Sequence, residues 1–250
     1  MTKMVKMELY RFFRSASTWI SLCTAVILAF LMVMTVHSTI SNTTTSVRIY
    51  SNAGELLAAQ INGGIPMVLC AVAVIIFVSA KYKNGFIKNI ANQLPRRELM
   101  IFPEIIVTSV ACALYFFAYS ICIIAAGAAF FGNTFITFSF LDIIKLLIVQ
   151  FVLHWSFCCL LLLLYMLTDS MTATIVIGLL MSFKILNVFY VLVERYTHFN
   201  IAQNMLDSNI FQIGMESAKS IYTRAAVVGL IFLLAEIVLL CVVMCKKDIK

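Results

Sequence analysis

Four polar side chains interrupt long apolar stretches of this chain: His154, Lys184, Asn187 and Glu236. A lysine or carboxylate at the centre of a bilayer costs about 2.5–3.5 kcal/mol on insertion scales, so it turns toward protein or water. At 1.5 Å of rise per residue, counting from the inner ends of their stretches puts His154 and Lys184 roughly 20 Å deep and Glu236 roughly 14 Å deep. Helices that turn these faces together would make a polar layer. Such a layer either lines a substrate path or gate, or is an interhelical ion pair that fixes packing; residue types alone leave both open. Motifs for chemistry on the chain itself are missing. There is no GxxxxGK[ST] loop to cradle phosphates, no HExxH pair for zinc and no GxSxG elbow for a serine nucleophile. His37, His154 and His198 fall in different segments and suit packing, hydrogen bonding or the surface. No catalytic, cofactor-binding or metal-binding residue is expected, so the chain is not expected to be an enzyme.

The eight cysteines, Cys23, Cys70, Cys112, Cys122, Cys158, Cys159, Cys241 and Cys245, lie in or at the ends of apolar stretches. None falls in a polar connection that would face outward, which argues against a disulfide framework. No cysteine spacing resembles a zinc site, and a small apolar role is expected of them.

The other polar feature is a basic connection, 81–103, which contains Lys81-Tyr-Lys-Asn-Gly-Phe-Ile-Lys-Asn89. Gly85 permits a sharp exit from a preceding helix, and Ile87, Ile90, Ala91 and Leu94 then share one helical face. Lys88, Asn89, Asn92 and Gln93 remain for contacts. A short helix held below a bilayer is what a cytoplasmic ATPase would push upon, although an ordinary basic loop would carry the same charges.

The elements that position these residues follow from hydropathy. With 63% hydrophobic residues and a mean hydropathy of +1.03, the chain is far more apolar than a globular domain. Six stretches are long enough to span: 19–40, 65–80, 105–131, 146–167, 171–193 and 225–245. The expected fold is all-α, one polytopic membrane domain of six transmembrane helices over 1–250. A cytoplasmic N-terminus puts Lys3, Lys6, Arg11, Arg14, Lys81, Lys83, Lys88, Arg96, Arg97, Lys246, Lys247 and Lys250 inside, twelve of the eighteen Lys and Arg. The positive-inside bias therefore predicts both termini in the cytoplasm, with anionic lipid headgroups as the partner for the net charge of +7. No aromatic-interleaved basic stripe suits nucleic acid. The first stretch is too long for a signal-peptide core and lacks a clear cleavage site.

Residues 3–14 place Val5, Leu9, Phe12 and Phe13 on one helical side and Lys3, Arg11 and Arg14 on the other, which predicts an amphipathic helix lying in the inner interface. On the opposite side, 41–64 is rich in Ser, Thr and Asn and leads to a helix near 54–60. The segment 194–223 is too polar to span but has Leu206, Ile210 and Ile213 at helical spacing.

The run Tyr82-Lys-Asn-Gly-Phe-Ile-Lys-Asn89, followed by Leu94-Pro95 and Arg97, resembles the corresponding loop of type-two ABC transporter permeases of Gram-positive bacteria. Met7-Glu8-Leu-Tyr-Arg-Phe-Phe-Arg14-Ser15 with Trp19-Ile20 is similar to their N-terminal signature. The likeness covers the first 105 residues; beyond them only span count and layout agree. It implies an elbow helix over 3–14, six spans, a coupling helix using Gly85, Phe86, Ile87, Lys88 and Asn89, and an external helical insertion over 194–223. It also implies a separate ABC ATPase subunit dimer carrying ATP and Mg, with no cofactor on this chain. A second permease chain, identical or paralogous, would complete the pathway in the cell membrane. Three residues depart from the family's pattern: Lys81 stands where an acid is common, Phe86 where Thr is common, and Glu104 where Lys is common.

Two functions are compatible with these features. One is the permease subunit of an ATP-driven exporter, expelling a peptide, antimicrobial or other amphipathic cargo. The other is a stand-alone six-span channel or integral immunity protein without an ATPase.

Overall fold

The computed structural model describes residues 2–42, 50, 52–83, 97–132, 139–197, 200–215 and 217–246. The longer elements among them are α1 (Thr2–Arg14), α2 (Ala16–Asn42), α3 (Ala53–Asn62), α4 (Ile65–Lys83), α5 (Ile101–Phe131), α6 (Phe140–Thr168), α7 (Met171–Ser182), α8 (Ile185–Thr197), α9 (Leu206–Gln212) and α10 (Lys219–Lys246). Short 3-10 turns occupy Arg97–Met100 and Ala202–Asn204, and no described residue is in a strand. Helices α2, α4, α5, α6 and α10 are long and apolar enough to cross a bilayer, and α7 with α8 makes a sixth crossing if that pair is one span. The chain is a multi-pass, all-helical membrane protein.

Several spans are longer than hydropathy alone marks. Helix α4 runs to Lys83 rather than 80, and α5 begins at Ile101 rather than 105. Pro103 does not delay α5, because a first-turn proline lacks only an N–H that has no intrahelical partner there. Helix α6 begins at Phe140 rather than 146, and α10 at Lys219 rather than 225.

Lipid tails are as apolar as leucine, so spans associate through close packing rather than through hydrophobic exclusion from water. The most enclosed spans are α4 and α6, and the least enclosed is α2. Helix α4 packs on α5, α6 and α7; α6 packs on α10, and α5 on α2. Helix α2 buries a narrow stripe of Ala25, Ala29 and Val33 and exposes Ile20, Ile27 and Leu31. Gly229 lets α10 approach α6 closely, for a Cβ there would stand 3.0 Å from a Leu153 methyl.

The expected fifth span, 171–193, is not a straight helix. It is α7 and α8, bent by 66° at Phe183–Lys184. Lys184 takes a left-handed conformation with φ 60°, and its ammonium lies over the Phe211 ring of the following segment, 4.5 Å from the centroid. No glycine or proline marks the break, so periodicity could not show it. A close tertiary contact lies next to the break. Gly64, at φ 81° in the α3–α4 turn, is packed so tightly on the end of α7 that a Cβ would come within 2.2 Å of the Ser182 carbonyl oxygen.

At that end of the bundle α3 and α9 fold over the spans. Asn52 caps α3 by accepting the Glu55 N–H at 2.9 Å. The expected apolar trio of the second segment is buried: Leu206, Ile210 and Ile213. Two amide side chains fasten it, Gln150 donating to the Ile210 carbonyl at 2.9 Å and Asn62 to the Ile213 carbonyl at 3.0 Å.

Candidate functional site

At the opposite end of the bundle, four charged side chains from three helices meet. Helix α1 contributes Glu8 and Arg11, α4 contributes Lys81 and α5 contributes Glu104. Local sequence explains each placement. Glu8 and Arg11 are three apart, so they share a helical face and pair at 3.0 Å. Lys81 lies in the last turn of α4 and Glu104 in the first turn of α5, where their charges oppose the negative and positive ends of the two helix dipoles.

The Lys81 ammonium is the centre. It stands 2.5 Å from Glu104 Oε1 and 3.1 Å from Glu8 Oε1, with all three side chains almost wholly shielded from solvent. The Tyr82 hydroxyl donates to Glu104 Oε2 at 3.3 Å, and its ring meets Tyr165 of α6 edge-on. The Arg11 guanidinium also lies over the Phe77 ring, 4.5 Å from its centroid. Two acids and two bases leave the cluster neutral. Removing the shared partner Lys81 would cost about 3–5 kcal/mol, because carboxylates are then left charged and buried without it.

The cluster closes a circuit in the fold. Lys81 and Glu104 flank the connection between α4 and α5, so their bond ties the two ends of that connection together. Glu8 then fastens both to α1. Ser15 interrupts the helix after α1, and the chain turns into α2 with Thr18 Oγ donating to the Phe12 carbonyl at 2.7 Å. Between α1 and α4 runs a cleft of about 770 Å³ with an apolar floor and Arg11, Arg14 and Lys81 along it. Arg11 and Lys81 are paired with carboxylates there, and Arg14 is the exposed cation of the lining.

Lys81 was expected in the loop 81–103 and belongs instead to α4, buried. Glu8 and Phe12 are the buried residues of α1, whereas Phe13, expected on the apolar side, is exposed. The expected coupling residues Gly85, Phe86, Ile87, Lys88 and Asn89 lie outside the described residues.

The four intramembrane polar residues are not gathered into one layer. His154 and Glu236 are buried, while Lys184 and Asn187 are exposed at and beyond the α7–α8 bend. Glu236 accepts from Ser156 Oγ at 3.0 Å, and His154 Nδ1 bonds the Gln150 carbonyl at 2.7 Å. No hydrogen bond among the described residues joins His154 to Glu236. Lys184 meets an aromatic face rather than a carboxylate because the bend turns it toward Phe211.

Sequence reasoning missed three things. The pairing of Lys81 with Glu104 had a faint signal, opposite charges at the two mouths of one loop. Glu8 had one in its i,i+3 arginine. The third, a convergence of Cys70, Cys112 and Cys158, had none, because the three come from α4, α5 and α6. No protein-family model and no curated protein matches this chain.

Proposed function

We propose that this chain is the membrane-spanning permease subunit of an ATP-driven exporter of the type-two ABC kind, moving an amphipathic cargo such as a peptide or antimicrobial outward. ATP would be hydrolysed by a separate subunit dimer, with a second permease chain completing the path in the cell membrane. The observation that carries this reading is the buried Glu8–Lys81–Glu104 group. It joins α1 to both ends of the α4–α5 connection, so a force applied to that connection would reach three helices at once. A loop that served topology alone would need no such buried fastening. The resemblance of the first 105 residues adds to this. Two of the three departures, Lys81 and Glu104, are partners of one another, so reversing both signs keeps their attraction. Exposed Arg14 in the cleft beside α1 suits a lipid headgroup holding that helix at the inner interface.

The test is co-expression with any Walker-motif ATPase that a neighbouring reading frame encodes, then purification and hydrolysis measurements in proteoliposomes; the lack of such a frame would itself count against the exporter. A stable complex whose hydrolysis responds to cargo supports the exporter. A chain that conducts or protects alone, and captures no ATPase, would instead be a stand-alone channel or immunity protein.

A further inference from the structure

We propose that Cys70, Cys112 and Cys158 form a three-coordinate thiol site for a trivalent metalloid, with arsenite as the working ligand. The three side chains come from α4, α5 and α6, are fully buried, and hold their sulfur atoms within 4.8 Å of one another. A small apolar role accounts for one buried cysteine; it does not account for three converging from separate helices.

Soft sulfur donors select thiophilic ions, and a trio lacks the fourth ligand of a closed tetrahedral zinc centre. His154 lies one turn from Cys158 along α6 and is not part of the close sulfur group. Charge decides among the candidates. The titratable groups that face the three thiols are one another, Cys159, His154 and Tyr115, and no lysine, arginine or carboxylate among the described residues joins them. Three thiolates around a divalent ion would leave a net negative charge, and around a monovalent ion a larger one, with no fixed cation to offset it in a low-dielectric interior.

Trivalent arsenic avoids that cost. As(OH)3 reacts with three R–SH to give As(SR)3 and three H2O. Three S–H and three As–O bonds break, three As–S and three O–H bonds form, and no oxidation state changes. Reactant and product are both uncharged. Each thiol proton leaves on the departing hydroxide as water, so the step needs no outside acid or base. A carbonyl oxygen only accepts, so the bond to Gln150 puts the neutral His154 ring's proton on Nδ1. Nε2 is then a bare, buried acceptor without a hydrogen-bond partner. This site is independent of the exporter reading, and its test uses no transport or hydrolysis readout.

The experiment takes the purified full-length chain in detergent with a phosphine reductant and adds sodium arsenite. Intact-mass spectrometry should show one arsenic gained with three hydrogens lost, and the arsenic absorption edge should show three sulfur neighbours and no oxygen. Cys70→Ser, Cys112→Ser and Cys158→Ser should each lose that adduct, while Cys23→Ser and Cys245→Ser retain it. An arsenic bound by two sulfurs and an oxygen, or zinc displacing arsenite, would overturn the inference. So would a Cys70–Cys112, Cys70–Cys158 or Cys112–Cys158 disulfide persisting under reduction. The absorption measurement on the unaltered chain decides the matter even where a serine variant fails to fold.

Discussion

A single ammonium, Lys81, holds two carboxylates almost wholly shielded from solvent, and the consequence is an asymmetry among substitutions. Lys81→Met leaves Glu8 and Glu104 both buried, and the loss should approach about 3–5 kcal/mol. Glu104→Gln leaves Lys81 paired with Glu8 and should cost less. The double reversal Lys81→Glu with Glu104→Lys should recover part of the loss of Lys81→Glu alone, because the reversed pair attracts while the new glutamate still faces Glu8. Thermal unfolding of the four purified variants in detergent checks the order; equal midpoints would mean the cluster adds nothing to stability. Gly64 gives a second contrast. Gly64→Ala must combine a left-handed φ with a Cβ 2.2 Å from the Ser182 carbonyl oxygen, whereas Gly178→Ala meets only Leu161 and Ala71 side-chain carbons at 3.3–3.4 Å. Monodisperse recovery on size exclusion should collapse for Gly64→Ala and persist for Gly178→Ala.

Among the elements, α9 has a docking strength that should vary with pH. Burial raises the Asp207 carboxyl above its ordinary range, and the Tyr190 hydroxyl, donating to Asp207 Oδ1 at 3.2 Å, only partly opposes this. A raised acid favours the protonated folded form. Docking is therefore strongest below the ordinary carboxylate range and weakens as pH rises through the raised folded value. Hydrogen exchange of 206–212 should show more protection at acidic than at neutral pH, after correction for intrinsic rates. Asp207→Asn should flatten that difference. An unchanged profile in Asp207→Asn would assign the pH effect to another group.

For the whole molecule, basic residues and loop character predict where each face lies and what meets it. Single cysteines placed at Ser46 and Gln212 in a cysteine-free background should react with an impermeant maleimide from outside intact cells; labelling only after permeabilisation would invert the topology. If an ATPase docks on the 81–103 connection, apolar anchors should outweigh rim charges. Burying a large apolar side chain is worth about 1.5–3 kcal/mol and an exposed ion pair under about 1 kcal/mol. Phe86→Ala should therefore reduce ATPase co-purification more than Lys88→Ala does, at equal membrane abundance. Identical retention by both variants would leave the loop as a topological anchor only.

Hydropathy by itself determined the all-helical, multi-pass class and the approximate place of each apolar stretch, because a lipid-exposed chain must satisfy its backbone internally over a fixed thickness. Helical spacing also found the amphipathic first helix and the apolar trio of Leu206, Ile210 and Ile213. Tertiary structure decided the rest. The end of α7, where the chain bends, lies hard against Gly64, from a turn far away in the sequence. The meeting of Glu8, Lys81 and Glu104, the separation of Lys184 from Glu236, and the convergence of three cysteines all depend on which helices are neighbours. Periodicity fixes which side of a helix a residue occupies; it carries no information on what stands opposite, and ion pairing and metalloid chemistry are properties of that opposition.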